Sequence, residues 1–233
     1  MKQVTVMGDI HGCYKTFIAL LEKIPTEDEI VLVGDLIDRG LSSKQVVQYV
    51  IDHPEIKCVK ANHEDMYITD ILKENVDDPY FGQWLSDQAG KTLDSYRKED
   101  YTIDNDLMIE HAKWMKTLPY YLEFKDVVNN DGRHLVVSHA SIGSTWKFRH
   151  PDSEGHHFFK NEVIWNRNKP DDIDGIYNVF GHTPEKDGVR IKSYFANVDT
   201  GACLKRDWSE SYGVLSALRF PSMEVITQKN IDW

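Results

Sequence analysis

Five times along this 233-residue chain a short apolar or β-branched run ends at Asp, His or Asn, mostly beside glycine. The blocks are Gly8-Asp9-Ile10-His11-Gly12, Gly34-Asp35-Leu36-Ile37-Asp38-Arg39-Gly40, Asn62-His63-Glu64, Ser138-His139-Ala140 and Gly181-His182. Such runs are the strands of an α/β sheet, and the polar residues at their ends lie where that sheet presents its loops and binds ligands. Carboxylate oxygens, an amide oxygen and imidazole nitrogens gathered there form the donor set of a hard-to-borderline divalent metal pair.

The organisation follows from periodicity. Residues 3–7, 29–33 and 56–60 read as strands, and residues 14–24, 44–52 and 64–73 as helices. These βαβ-type units imply a parallel sheet with right-handed crossovers. Ser42 or Ser43 is placed to cap the second helix, and Asn62 to act as a turn residue or cap the third. Residues 74–106 are acidic and polar, carry Tyr80, Phe81, Trp84, Tyr96 and Tyr101, and read as a helical insertion or cap. An amphipathic helix follows over 106–117, and the remainder is β-rich with a hairpin signal at Asn129-Asn130-Asp131-Gly132. The expected fold is α/β in class (α+β layered): a central β-sandwich of two mixed sheets flanked by helices, with a helical insertion, in one domain spanning 1–233.

Composition narrows the function. A net charge of −11 argues against an extended nucleic-acid face, so an anionic substrate must be drawn in locally by metals and a few arginines. No apolar run approaches membrane-spanning length, and the first strand begins almost at Met1. Cys13, Cys58 and Cys203 are odd in number and widely spaced, giving neither a disulfide framework nor a zinc knuckle. A reduced, cytoplasmic protein is expected, with Cys13 a small buried residue at a helix start rather than a catalytic thiol.

Asp9 and His11, two residues apart on one loop, are able to converge on one ion. Asp35 has two oxygens and is able to bridge two ions. Asn62 adds a neutral oxygen, and His139 and His182 add nitrogens. Each block alone is an ordinary turn. All of them at predicted strand ends in one chain point to a metal centre. His63 follows Asn62 directly, so its ring faces the substrate side, and Asp38 is placed to accept its other N–H and fix the tautomer. Arg39, in the same loop, suits bidentate contact with phosphate oxygens.

These blocks resemble the signature of the calcineurin-like metallophosphoesterases, in particular the phosphoprotein phosphatase branch. The segments Val163-Ile164-Trp165-Asn166-Arg167 and Asn197-Val198-Asp199-Thr200-Gly201-Ala202 resemble its small bacterial and phage serine/threonine phosphatases. The resemblance spans about residues 3–220 and is interrupted by the insertion. It implies that Asp9, His11 and Asp35 hold a first metal, and that Asp35 bridges to a second held by Asn62, His139 and His182. It also implies a His63–Asp38 acid pair, a second phosphate-binding arginine at Arg167, and Asn62 facing the substrate. Ala61 stands where the family usually has glycine, so the turn there must be one an L-residue adopts. Leu41 replaces a common proline.

The expected reaction is metal-dependent phosphomonoester hydrolysis by a bridging water activated by two divalent ions, Mn²⁺ first, with Fe or Zn also suitable. His63 is the general acid. No Cys-x5-Arg signature and no Gly-x-Ser-x-Gly elbow offers a competing nucleophile. The expected partner is a phosphorylated protein or a small phosphoester. The rival is a symmetric dinucleoside tetraphosphate hydrolase, which needs basic or aromatic residues for a second nucleotide that the acidic insertion scarcely offers. A non-catalytic metal-bound interaction module would have lost His63, Asp38 or an arginine. Glu64 is expected to support a helix start. Residues 156–159 are expected to form a loop near the substrate mouth. Trp84, Tyr96 and Trp114 are expected to be core packing rather than a base-stacking platform.

Overall fold

The computed structural model describes residues 2–74, 81–204 and 212–233. The β-branched runs build two mixed sheets packed face to face. In the first, β1 (Val4–Met7), β2 (Glu29–Leu32) and β3 (Lys57–Cys58) are parallel, linked through α1 (Tyr14–Leu21) and α2 (Ser43–Asp52). The second holds β4 (Tyr121–Val128), β5 (His134–Ser138), β6 (Ile176–Phe180), β7 (Arg190–Ile191) and β8 (Phe195–Asn197). Within it β5, β6 and β8 run parallel and the two edge strands antiparallel. The chain then returns to the first sheet, where β9 (Val214–Phe220) pairs antiparallel with β1 and β10 (Glu224–Lys229) closes the edge.

Burial explains why these runs are strands. Val4, Val6, Val31 and Val33 face Leu135, Val137, Val179 and Val198 between the sheets. The alternate residues Met7 and Leu32 face outward, onto the helices through Phe17, Leu20, Val46 and Val47. Period-2 alternation with both faces covered is what this sheet requires. Asp28, directly before β2, ties neighbouring strands of the first sheet: it accepts from the Thr5 hydroxyl of β1 (2.6 Å) and from Arg219 Nε (2.7 Å) and Nη2 (3.0 Å) of β9.

Several boundaries differ from the sequence reading. The expected strand at 56–60 pairs only at Lys57–Cys58, because Lys60 N–H turns away to the Pro119 carbonyl. α3 (Asn62–Leu72) starts at Asn62 itself, so Asn62 is its first residue and not its cap. Ala61 precedes it with φ −113° and ψ 174°, extended backbone comfortable for an L-residue. Ser42 occupies the cap of α2 without a side-chain bond, while the Ser43 hydroxyl accepts from Asp38 N–H.

The described part of the insertion is helical, with α4 (Gln83–Asp87) and α5 (Ala89–Ser95), followed by α6 (Asn105–Lys116) capped by Asp104. Trp84 and Tyr96 are fully buried and Trp114 packs partly buried on the same core, as packing residues do. Tyr80 lies outside the described residues. Residues expected to form a loop at 156–159 instead open α7 (His156–Trp165). Phe159 and Val163 are one helical turn apart. They bury with Ile164 against Val136, Ile176 and Trp146, a contact that adjacent histidines read as extended chain do not reveal.

Candidate metal centre

All the expected blocks arrive at one edge. β1, β2, β3, β5 and β6 each deliver one immediately or a few residues past their C-terminal ends, and β8 delivers Asp199 in the same way. The loops are fastened to one another through backbone: His11 N–H donates to the Asp35 carbonyl (2.7 Å), Gly12 N–H to Leu36 (2.9 Å) and Gly181 N–H to His139 (2.8 Å). The turns are sharp. Eight non-glycine residues described have positive φ, and five belong to this edge: His11 (45°), Asp35 (49°), Asp38 (71°), Arg39 (63°) and His182 (70°). Left-handed backbone is disfavoured for L-residues and persists where the surroundings enforce it, as at ligand sites.

Two groups of mutually close ligand atoms share Asp35. His11, Asp35 and His63 form one, and Asp35, His139 and His182 the other, with the atoms of each within 4.8 Å of one another and every residue buried. The proton positions are set by backbone carbonyls, which only accept. His11 Nδ1 must donate to Ile37 O (2.7 Å), and His139 Nδ1 to Val33 O (2.8 Å). Both Nε2 atoms therefore carry lone pairs. His139 Nε2 stands 2.8 Å from Asn62 Oδ1, 3.0 Å from His182 Nδ1 and 3.6 Å from Asp35 Oδ1. His182 Nε2 is buried without a hydrogen-bond partner.

Acceptors facing acceptors in a buried site suit a cation, and this donor set of imidazole, carboxylate and amide oxygen fits a divalent transition metal. Burial keeps the imidazoles neutral, lowering His11 to about 4 and His182 to about 3. Burial also acts on Asp35, but His139, His63 and His11 together hold its carboxyl well below the usual carboxylate range. Neutral imidazole and ionised carboxylate are the ligating forms.

Asp9, expected to act with His11 and Asp35, has further partners. Its carboxylate accepts from His182 N–H (3.1 and 3.2 Å) and lies against Asp199, outside both groups of three. Burial and the Asp199 charge push Asp9 well up, and burial pushes Asp199 up to about 6. Asp199 is a buried neighbour of Asp9 that the blocks do not contain. Its signal is the one the others share, an acid directly after the run Ala196-Asn197-Val198.

Arg39 reaches into the first group, with Nη1 2.8 Å from His11 Nε2 and Nη2 3.2 Å from His63 Nε2. His63 donates from Nδ1 to Asp38 Oδ2 at 2.5 Å. Burial alone would lower His63, but Asp35 and Asp38 outweigh it and raise it. Asp38 has partners the blocks do not contain: Trp84 Nε1 lies 3.0 Å from each carboxylate oxygen and the Thr92 hydroxyl 2.6 Å from Oδ1. Glu64 does more than support its helix. It accepts from Asp35 N–H (3.0 Å), Leu36 N–H (2.8 Å) and Ala61 N–H (3.1 Å), tying the second loop to α3. Burial and Asp35 push its carboxyl up to about 7.

Beside these groups lies a cavity of about 570 Å³ whose wall includes Arg39, Arg167, Lys91 and His182, with Leu204 and Trp233 on the apolar side. Arg167, exposed after α7, is brought to this mouth. Burial leaves Cys13 and Cys58 with thiols pushed far up and Cys203 up to about 12, as structural cysteines. No described helix is long and apolar enough to cross a membrane.

Comparison with known proteins agrees with this arrangement. The chain is 25% identical over 250 residues to an asymmetrical bis(5'-nucleosyl)-tetraphosphatase PrpE from Geobacillus sp. (strain WCH70), covering 97% of this chain and 93% of that one. A symmetrical bis(5'-nucleosyl)-tetraphosphatase from Pseudomonas syringae pv. tomato is 27% identical over 150 residues, covering 63% and 43%. In fold, the chain is similar to a protein serine/threonine phosphatase from Saccharomyces cerevisiae, with a TM-score of 0.57 at 15% identity over 98% of this chain and 79% of that one. The calcineurin-like phosphoesterase model matches residues 2–186, and the chain belongs to that family of metal-dependent hydrolases.

Proposed function

We propose that the protein is a two-metal phosphomonoesterase acting on alkyl phosphates of the phosphoserine and phosphothreonine kind. The observation that carries this is the buried His63–Asp38 pair, whose His63 Nε2 reaches to 4.0 Å from the Asp35 carboxylate that the two ligand groups share. An acid held in that way is of most use where the departing oxygen is a poor leaving group, as a serine alkoxide is.

His11, Asp35, Asn62, His139 and His182, with Asp9 beside them, would hold two divalent cations, Mn²⁺ among the suitable ones. When bound, the cations supply a hydroxide near neutral pH and neutralise charge on the phosphoryl oxygens. The chain's own residues do the rest. Arg39 and Arg167 line the cavity mouth and bind phosphate oxygens, Arg39 in bidentate fashion, orienting the ester. Asn62, at the first turn of α3, contributes its amide on the substrate side. Asp38 accepts from His63 Nδ1, which leaves Nε2 to deliver its proton to the departing alkoxide.

A second reading, hydrolysis of a dinucleoside tetraphosphate, is favoured by the names of the relatives that span the chain and by the cavity. Lys91 comes from the acidic insertion, expected to offer few such groups, and lies 5.6 Å above the Trp233 ring. A cation and an aromatic face beyond two arginines suit a polyphosphate bearing a base. Rates with Mn²⁺ on p-nitrophenyl phosphate, a phosphoserine peptide and diadenosine tetraphosphate separate the readings. Preference for the peptide supports the first, and predominant tetraphosphate cleavage overturns it. Trp233→Ala should then lower only the tetraphosphate rate.

A further inference from the structure

The insertion reaches the chemistry at one residue. Asp38 is completely buried and sits in left-handed backbone, so neither water nor ordinary turn geometry keeps its carboxylate in place. His63 takes one position on Oδ2, and the insertion supplies the other side-chain donors. The Trp84 indole N–H is 3.0 Å from both oxygens, and the Thr92 hydroxyl donates to Oδ1 at 2.6 Å while accepting the Asp38 backbone N–H at 3.0 Å. Trp84 and Thr92 are themselves fully buried.

The clamp is referenced to the helix that carries His63. Asp70, two turns along α3, accepts from Gly82 N–H (2.7 Å) and Leu85 N–H (3.0 Å) and so fixes the start of α4. Tyr67 of α3 packs edge-on against Trp84 with ring centroids 4.9 Å apart. From the other side, Lys91 Nζ donates to the Arg39 carbonyl at 2.7 Å. The circuit runs from His63 along α3 to Asp70, across to Trp84, and back through Asp38 to His63.

We propose that Trp84 and Thr92 are positioning residues that hold Asp38, and through it His63, in line with the leaving group. This rests on the reading of His63 as the acid. A carboxylate gripped at both oxygens cannot rotate, so the imidazole it holds keeps one plane and one tautomer, as second-layer partners of catalytic imidazoles do. The insertion is thus part of the proton-delivery machinery as well as a wall of the cavity.

The test uses leaving-group dependence, which a merely structural role does not move. Trp84→Phe keeps the ring and removes the N–H, and Thr92→Val keeps the shape and removes the hydroxyl. Each should lower kcat on phenyl phosphate or a phosphoserine peptide about 10- to 100-fold, the scale for losing a partner that orients a working imidazole and less than losing the acid itself, while kcat on p-nitrophenyl phosphate falls less than about 3-fold. Thr92→Ser should restore the peptide rate. Mn²⁺ affinity and Tm, read alongside, should stay near the parent values for Thr92→Val, which carries the test if Trp84→Phe does not fold. His63→Asn is the reference. Equal losses on both substrates in His63→Asn would refute the acid reading itself. Leaving-group selectivity in His63→Asn, but equal or no losses in Thr92→Val, would overturn the positioning role alone.

Discussion

Gly40 offers a direct test of how the site's loops are spaced. A Cβ built on Gly40 falls 2.1 Å from the His11 carbonyl oxygen, 2.7 Å from Gly12 C and 2.8 Å from Gly12 O. All three are backbone atoms, in a loop pinned by His11 N–H to Asp35 O and by Ser42 N–H to Gly12 O (3.0 Å). A carbon rests against a carbonyl oxygen at roughly 3.3–3.6 Å, so Gly40→Ala must drive the two loops apart by more than about 1 Å. Overpacking of this kind costs about 1–3 kcal/mol. At about 2–4 °C per kcal/mol for a chain of this size, Tm should fall by roughly 2–12 °C. Function should suffer more, because the displacement separates His11 from Arg39 and Asp38: about 100-fold in kcat/KM is the scale for a 1 Å misplacement. The control is Gly90→Ala in α5, where a Cβ meets nothing within 4 Å and removing the glycine should stabilise by about 0.5–1 kcal/mol. The assay is a thermal melt with Mn²⁺-saturated kinetics on p-nitrophenyl phosphate. A Gly40→Ala protein with parental Tm and kcat/KM would refute the argument that direct backbone contact sets the site's spacing.

Asp28→Asn should destabilise by somewhat less than the about 3–5 kcal/mol of breaking a fully buried pair, because Arg219 is partly exposed, read at pH 7 in denaturant titrations. Arg219 and then Thr5 hold the Asp28 carboxyl below its usual value. Its contribution is therefore complete above the unfolded pKa of about 3.9 and is lost as pH falls through the folded value, so the difference from Asn should shrink below about pH 4. Arg167→Ala, at an exposed position on the cavity wall, should raise KM for phosphoesters several-fold with Tm unchanged, and an unchanged KM would remove it from the site. Chelation of divalent metal should lower Tm, since a cation present at 100 times its Kd stabilises by about 2.7 kcal/mol. A Tm insensitive to chelator in metal-loaded protein would argue against the two ligand groups.

What the sequence made legible was whatever a strand end puts in one place. The blocks at Asp9, Asp35, Asn62, His139 and His182 reach a common edge because parallel strands end together, and parallel pairing is readable from apolar runs. The His63–Asp38 bond was foreseeable from two neighbouring loops. Trp84 and Thr92 were not, because a side chain brought in over 46 or 54 residues leaves no local periodicity, and a buried Trp looks like packing until its N–H has a partner. Asp9 has partners that adjacency to His11 does not announce, a backbone N–H from His182 and a second acid, Asp199, both far along the chain. The α7 helix was obscured by paired histidines whose neighbours Phe159 and Val163 meet their partners only in three dimensions.

The left-handed residues of the site bear on how this protein changes over generations or in a laboratory selection. Five L-residues in that region, at about 1 kcal/mol or more each, carry a burden comparable to the whole net stability of a typical domain. Replacing Arg39 or His182 with Gly or Asn, which strands none of the buried donors that Asp38 satisfies, should therefore rank among the stabilising substitutions available to the chain. A screen for heat resistance alone would be drawn to the same positions that give it chemistry, and would enrich well-folded, inactive protein. Selection for activity must hold those residues against that pull. Room to evolve new specificity then has to come from elsewhere, such as the exposed cavity wall at Arg167 or the Gly90 position of the insertion.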